Sequence, residues 1–269
     1  FKFIIILATA VFMLIIGIID DIKHLKPLTK LICQIIAAII VVFIAGVKID
    51  FFRYNIINLI ITICWIVIIT NSFNLLDNMD GLSAGIAAIS LFLFFIIAIT
   101  QNEYNNALIC LLLSFSAAGF LLFNYNPASI FMGDGGSLFL GFFVSVIAIN
   151  NSYLKFSLLT RLPILIPVLV LFIPLYDTLS VIFIRRKLGI SIFKADKRHF
   201  SHRLVNLGLS QRAAVLIIYL ATLSTGITAT LLTKLTLIDA IIIILHTFMV
   251  FGIIAILEWY SFKKNDNNI

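Results

Sequence analysis

The chain has 269 residues, 62% of them apolar and only 12% charged, with 25 phenylalanines, a net charge of +7 and a mean hydropathy of +1.18. That composition excludes a water-soluble globule and leaves a polytopic membrane protein. Cys33, Cys64 and Cys110 each sit inside an apolar run without partner spacing, which makes them packing residues rather than disulfides or metal ligands.

Apolar runs long enough to cross a bilayer can be laid down at 1–19, 31–46, 56–73, 82–100, 107–123, 136–150, 162–184, 213–233 and 238–259. The expected fold is all-α, a bundle of about nine transmembrane helices in one integral-membrane domain over 1–269. The chain opens at Phe1 directly in an apolar run, without an initiator methionine, and reads as a fragment. A cleaved signal peptide is the alternative, but the run lacks a basic start and a small-residue cleavage site.

The first span ends in Asp20-Asp21, followed by Lys23, Lys26 and Lys30. A stop-transfer flank explains the lysines better than it explains two adjacent acids. After the third span, Asn74, Asp77 and Asp80 recur every third position, a spacing that lets them converge on one neighbour in a tight helical turn. Asp80 also suits the N-cap of the fourth span. The segments 101–106 and 151–161 read as plain connections.

The sharpest signal is Asn124 to Ser137, NYNPASIFMGDGGS, in which Asp134 stands between two hydrocarbon runs on a glycine-rich turn that lets backbone approach a ligand. The seventh span carries Pro163, Pro167 and Pro174, which predict a broken helix, and Asp177 near its basic end, read either as a solvated acid or as a support to the site. The loop 185–212 holds eight lysines and arginines against the single acid Asp196, together with His199 and His202. Such a basic amphipathic stretch by itself favours binding of anionic lipid. Lone His246 reads as a packing residue, and no internal repeat is evident.

Alternating nine spans places the loops 20–30, 74–81, 124–135 and 185–212, and the tail after 260, on one side, with thirteen of the nineteen lysines and arginines. The positive-inside rule makes that side cytoplasmic. Five aspartates, Asp20, Asp21, Asp77, Asp80 and Asp134, then share one membrane face. Their mutual repulsion, about 1 to 4 kcal/mol for each pair at 4 Å, calls for a divalent cation. Mg²⁺ held by a few carboxylates, beside a cationic loop, suits displacement at phosphate. An ion-coupled transporter is the alternative, although its acids belong near the midplane rather than at helix ends.

The strings GIIDDIKHLKPLTKLICQ, NSFNLLDNMDGLSAG, FNYNPASIFMGDGGSLFLGF and PLYDTLSVIFIRRKLG with KADKRHFSHRL resemble the bacterial polyprenyl-phosphate N-acetylhexosamine-1-phosphate transferases. The resemblance covers about residues 15–215. The spacing from Leu25 to Leu31 is closer to the GlcNAc-1-phosphate branch than to the phospho-MurNAc-pentapeptide translocase. It implies transfer of a sugar-1-phosphate, GlcNAc-1-phosphate first, from a UDP-N-acetylhexosamine to a polyprenyl phosphate, giving a lipid diphospho-sugar and UMP in cell-wall or surface-polysaccharide synthesis.

By the same resemblance Asp134 is the Mg²⁺ ligand, with Mn²⁺ a permitted substitute. Asp20 is the base, Asp21 its essential neighbour, and His199 and His202 lie near the diphosphate. Lys30, Asn74, Asp77, Asp80, Asn124, Phe131 and Arg203 bind substrate, with Asp80 beside the nucleoside and Phe131 stacking on uracil. The implied setting is the bacterial plasma membrane with the site facing the cytoplasm; a homodimer is allowed and no nucleic-acid partner is expected. The family's N-terminal helices are absent from this sequence, Asn78 stands where many relatives have glycine, and Ser201 stands where the common motif has histidine. Direct attack by the lipid phosphate and a route through an aspartyl intermediate are both compatible with these residues.

Overall fold

The structure, a computed structural model, describes residues 1–150, 162–191, 197–232 and 237–266, and every regular element among them is a helix. The chain divides into two compact units, Phe1–Ser152 and Tyr153–Ile269.

The first unit holds α1 (Lys2–Lys23), α2 (Pro27–Phe43), α3 (Asn55–Leu76), α4 (Leu82–Thr100), α5 (Tyr104–Asn124) and α6 (Gly133–Asn150). Breaks in the apolar runs fall where local chemistry demands them. His24 closes α1 in the left-handed region, its N–H returning to the Asp20 carbonyl, and Pro27 opens α2 where a missing N–H costs nothing. Gly81 (φ 77°) and Gly133 (φ 64°) start α4 and α6 in a conformation that side-chain-bearing residues resist.

The central helix is α6, packed against α1, α3 and α4 and buried along most of its length. Lipid tails are as apolar as leucine, so close backbone approach and hydrogen bonds drive helix association in a membrane. Two glycines permit that approach. A methyl at Gly17 of α1 would stand 2.3 Å from the Asp134 carbonyl oxygen, and one at Gly141 would stand 2.8 Å from Phe73 Cβ of α3. Trp65 of α3 adds a bond from Nε1 to the Ser145 carbonyl at 3.2 Å.

Because the six helices alternate in direction, the turns 20–30, 74–81 and 124–135 gather at one end of this unit, joined by the hydrogen bonds described below. The opposite end is closed by Asn58, which accepts from the Phe51 and Phe52 N–H groups, and by the Asn106–Asn150 pair.

The second unit holds a 3₁₀ turn at Leu162–Leu165, α7 (Ile166–Val170), α8 (Phe172–Lys187), α9 (Phe200–Asn206), α10 (Gln211–Leu231) and α11 (Leu237–Asp266). The expected seventh span is broken at Leu171, between α7 and α8. Pro174 can neither donate to the Val170 carbonyl nor tolerate it beneath its ring, so the helix ends there. Ser210 caps α10 by accepting from the Ala213 N–H at 3.2 Å. The basic loop contributes the end of α8 and all of α9, while the connection expected at 151–161 and Lys194 and Asp196 lie outside the described residues.

Among the described residues six helices, α1, α3, α4, α5, α6 and α10, are long and apolar enough to cross a membrane, α2 is a shorter apolar helix, and α11 carries the apolar stretch Ile241–Ile256. Among the described residues the nine expected spans thus correspond to these six helices, α2, α11 and one helix broken by proline.

Candidate active site

At the shared end of the first unit an ionic chain links three elements. Lys30 Nζ, one turn into α2, donates to Asp20 Oδ2 of α1 at 2.5 Å and to Asp134 Oδ2 of α6 at 2.9 Å. Asp20 is buried, and its other oxygen accepts the Leu25 N–H at 2.6 Å. Asn74, in the last turn of α3, donates to Asp134 Oδ1 at 2.6 Å and to Ser137 Oγ at 3.0 Å. Among the described residues Lys30 is the cation in ion-pair contact with any of the five aspartates.

Asp21 points elsewhere than its neighbour. Its two carboxylate oxygens accept the backbone N–H groups of Asp134 (2.9 Å) and Gly135 (3.1 Å), at the start of α6. These are donors a helix leaves without intrahelical partners, and an acid there also suits the positive end of the helix dipole. The sequence pairs Asp20 with Asp21, but successive helical residues face different directions, and the structure gives them separate work.

Asp80 does not cap α4; the cap position is Gly81. Its Oδ2 instead accepts from Asn126 Nδ2 (3.0 Å) and the Ala128 N–H (3.2 Å). Asn124 joins the same turn, accepting the Gly81 N–H at 3.1 Å and donating to the Ile130 carbonyl at 2.8 Å. The predicted convergence of Asn74, Asp77 and Asp80 on one neighbour is therefore not what the chain adopts. Asn74 turns to Asp134, and Asp80 to the loop after α5.

Asp77 is half-buried, and among the described residues no donor reaches its carboxylate. Burial first, then the charges of Asp134, Asp21 and Asp80, push its pKa up to about 7. Phe131, beside this cluster in sequence, exposes 75% of its surface, unusual for a phenylalanine outside a lipid-facing helix. Among the described residues no group of three His, Cys, Asp or Glu side chains is arranged to hold a metal ion.

One turn deeper, Gln34 and Asn71 exchange amide hydrogen bonds at 2.5 and 3.2 Å between α2 and α3. Gln34 follows Lys30 by four residues and Asn71 precedes Asn74 by three, so this pair fixes the register of the helix faces that carry both Asp134 partners. A buried glutamine in an apolar run, four residues after a lysine, was a readable signal for it. Ser137, Gly17 and Gly133 also contribute, and only the glycine-rich run hinted at two of them.

Within the second unit, Asp177 of α8 is buried and uses both oxygens. Oδ2 lies 2.7 Å from His199 Nδ1, and Oδ1 accepts the Phe200 N–H at 2.6 Å, capping α9. Of the two readings of Asp177, a solvated acid is removed by its 1% exposure. Arg203, expected on substrate, is buried: it donates to Ser180 Oγ at 2.8 Å and to the Arg198 carbonyl, over the Phe200 ring. His202 lies half-buried on α9.

Residues 3–152 match the model of glycosyl transferase family 4, a stretch that coincides with the first unit and its ionic chain. The chain is 36% identical over 256 residues to a probable undecaprenyl-phosphate N-acetylglucosaminyl 1-phosphate transferase of Bacillus subtilis, covering 91% of this chain and 70% of the relative. It is 34% identical over 234 residues to a decaprenyl-phosphate N-acetylglucosaminephosphotransferase of Mycobacterium leprae, covering 76% of this chain and 58% of that relative. A phospho-N-acetylmuramoyl-pentapeptide-transferase of Streptococcus uberis is 34% identical over 151 residues, 50% of this chain and 45% of the relative. The transporter alternative finds no support among these relatives. With the family model matching more than half of its length and a relative 36% identical over 91% of it, the chain belongs to glycosyl transferase family 4.

Proposed function

We propose that this membrane protein transfers a sugar-1-phosphate, GlcNAc-1-phosphate first among candidates, from a UDP-sugar to a polyprenyl phosphate. An oxygen of the lipid phosphate bonds to the sugar-bearing phosphorus, the bond from that phosphorus to the bridging oxygen breaks, and UMP leaves. The product is a lipid diphospho-sugar. The observation that carries the reading is the Asp20–Lys30–Asp134–Asn74 chain, set at a helix-bundle end where a lipid headgroup and a soluble donor can meet. The GlcNAc-phosphate transferases among its relatives support the choice of reaction.

The residues divide the work. Lys30 supplies an ammonium to phosphate oxygens, and Asn74 orients Asp134. Asp20 accepts the proton of the lipid phosphate on a remaining lone pair of its carboxylate, since the Leu25 N–H and Lys30 each occupy only one site on its two oxygens. The exposed Phe131 ring stacks on uracil at the mouth, next to the loop that Asp80 and Asn124 hold in place.

Mg²⁺ fits this donor set. Asp77 is a carboxylate without a counter-ion among three others, and Mg²⁺ needs only one or two carboxylates, completing its shell with water and phosphate. Asp134 and Asp77 would hold it, and bound there it would neutralise charge developing on the transferred phosphate. The site faces the cytoplasm of a bacterial plasma membrane in this reading, since the loops at its end of the bundle include the basic 20–30 turn.

Incubating membranes that contain the full-length protein with a panel of UDP-sugars and undecaprenyl phosphate tests the proposal. UMP should form only with both substrates present and should vanish with Asp134→Asn. UMP formation that ignores the lipid would remove the reading.

A further inference from the structure

Asp20 and Asp134 share one ammonium, but they hold it unequally. Lys30 Nζ lies 2.5 Å from Asp20 Oδ2 and 2.9 Å from Asp134 Oδ2. The Asp20 side chain is 5% exposed and is anchored from a second side by the Leu25 N–H. Asp134 is 31% exposed, in the first turn of α6, and Asn74 takes its other oxygen. Both Asp134 oxygens are thus engaged, one of them by a positive charge.

A divalent cation seeking that carboxylate meets the ammonium in its place, and like charges at such range repel. Lys30 can leave Asp134 without stranding itself, because Asp20 would otherwise be a buried, unpaired charge and continues to hold it. Resting on the metal reading of Asp134 given above, we infer that Lys30 is the resident counter-ion of Asp134 and competes with a divalent cation for it. When the cation takes Asp134, Lys30 stays on Asp20, and its freed N–H turns to a phosphate oxygen. Cation binding is weak while Lys30 faces Asp134 and strengthens once a phosphate anion draws the ammonium away. One lysine thereby couples the metal to the phosphate substrates.

The test is Mn²⁺ titration, followed by electron paramagnetic resonance, of detergent-solubilised full-length protein without sugar donor or lipid. Lys30→Met removes both charge and donors. Lys30→Gln removes only the charge and carries the test should the methionine variant not fold. Each should bind Mn²⁺ at least about tenfold more tightly than the unaltered protein, while Lys30→Arg should bind it about as the unaltered protein does. Equal or weaker Mn²⁺ binding by Lys30→Gln would overturn this inference alone. Absence of Mn²⁺ binding in every form would overturn the metal reading and this inference with it.

Discussion

Asp21 grips Asp134 by its backbone, not its side chain: the Asp21 carboxylate receives the N–H groups of Asp134 and Gly135 at 2.9 and 3.1 Å. The grip requires glycine at 133, where a methyl group would stand 2.7 Å from Asp21 Oδ2 on a backbone already at φ 64°. Adjacent aspartates in the sequence therefore serve different ends, Asp20 holding Lys30 and Asp21 holding the start of α6.

Gly133→Ala should reproduce the loss caused by Asp21→Ala, although it touches no charged group. Each should lower stability by roughly 1 to 2 kcal/mol, the worth of a helix cap or of forcing a side chain into the left-handed region. Each should also reduce turnover by displacing Asp134. Thermal unfolding and turnover of the two variants check this; an active, fully stable Gly133→Ala protein would show that the contact is dispensable.

Phe131→Ala should leave stability unchanged, because the ring is 75% exposed. Donor affinity should suffer instead. Losing one aromatic stacking partner costs roughly 1 to 3 kcal/mol at nucleobase sites, so KM for the UDP-sugar should rise by about tenfold or more while KM for the lipid holds. An unaltered donor KM would take the stacking role away from this ring.

Asp77 gives the protein a pH dependence of defined sign. Its folded pKa, about 7, lies above the usual 3.8, so the folded state penalises the ionised form. The penalty is absent below about pH 4, grows as pH rises towards 7, and is constant above. Without divalent cation, Asp77→Asn should raise the unfolding temperature by several degrees at pH 8 and leave it unchanged at pH 4. Mg²⁺ binding should release a proton at pH 6 and none at pH 9. A stabilisation that is the same at both pH values would mean that Asp77 is not held against its neighbours' charge.

The shared end of the first unit sets the topology test. In a protein freed of its own cysteines, Lys26→Cys and Ser129→Cys, both exposed at the site end, should react with an impermeant thiol reagent only after cells are opened. Asn102→Cys, exposed at the opposite end, should react in intact cells. Labelling of Lys26→Cys and Ser129→Cys from opposite sides would break the common face.

The helices were legible because apolar runs and their breakers are local. Residues 82–100 were expected as a span and form α4 (Leu82–Thr100), and three prolines announced the interrupted helix before Asp177. The partners of the polar groups were not legible. Lys30 and Asp134 are 104 positions apart, and nothing in either segment says that α1, α2 and α6 end beside one another. Asp177 reads from the sequence either as a solvated helix-end acid or as a support, and its partner His199 was not legible because it reaches Asp177 across 22 residues of sequence. Arg203 is expected on substrate by the resemblance, and its burial with bonds to Ser180 and the Arg198 carbonyl was not readable from the sequence. Composition and spacing place charges at a membrane face, while tertiary packing decides which of them remain open to substrate.

The central claim is that phosphate moves together with the sugar. UDP-GlcNAc labelled with ³²P on the sugar-bearing phosphorus distinguishes this from ordinary glycosyl transfer in one experiment. Supplied with undecaprenyl phosphate, the protein should carry the label into the lipid fraction and release unlabelled UMP in equal amount. Release of labelled UDP, with the sugar alone on the lipid, would contradict the account.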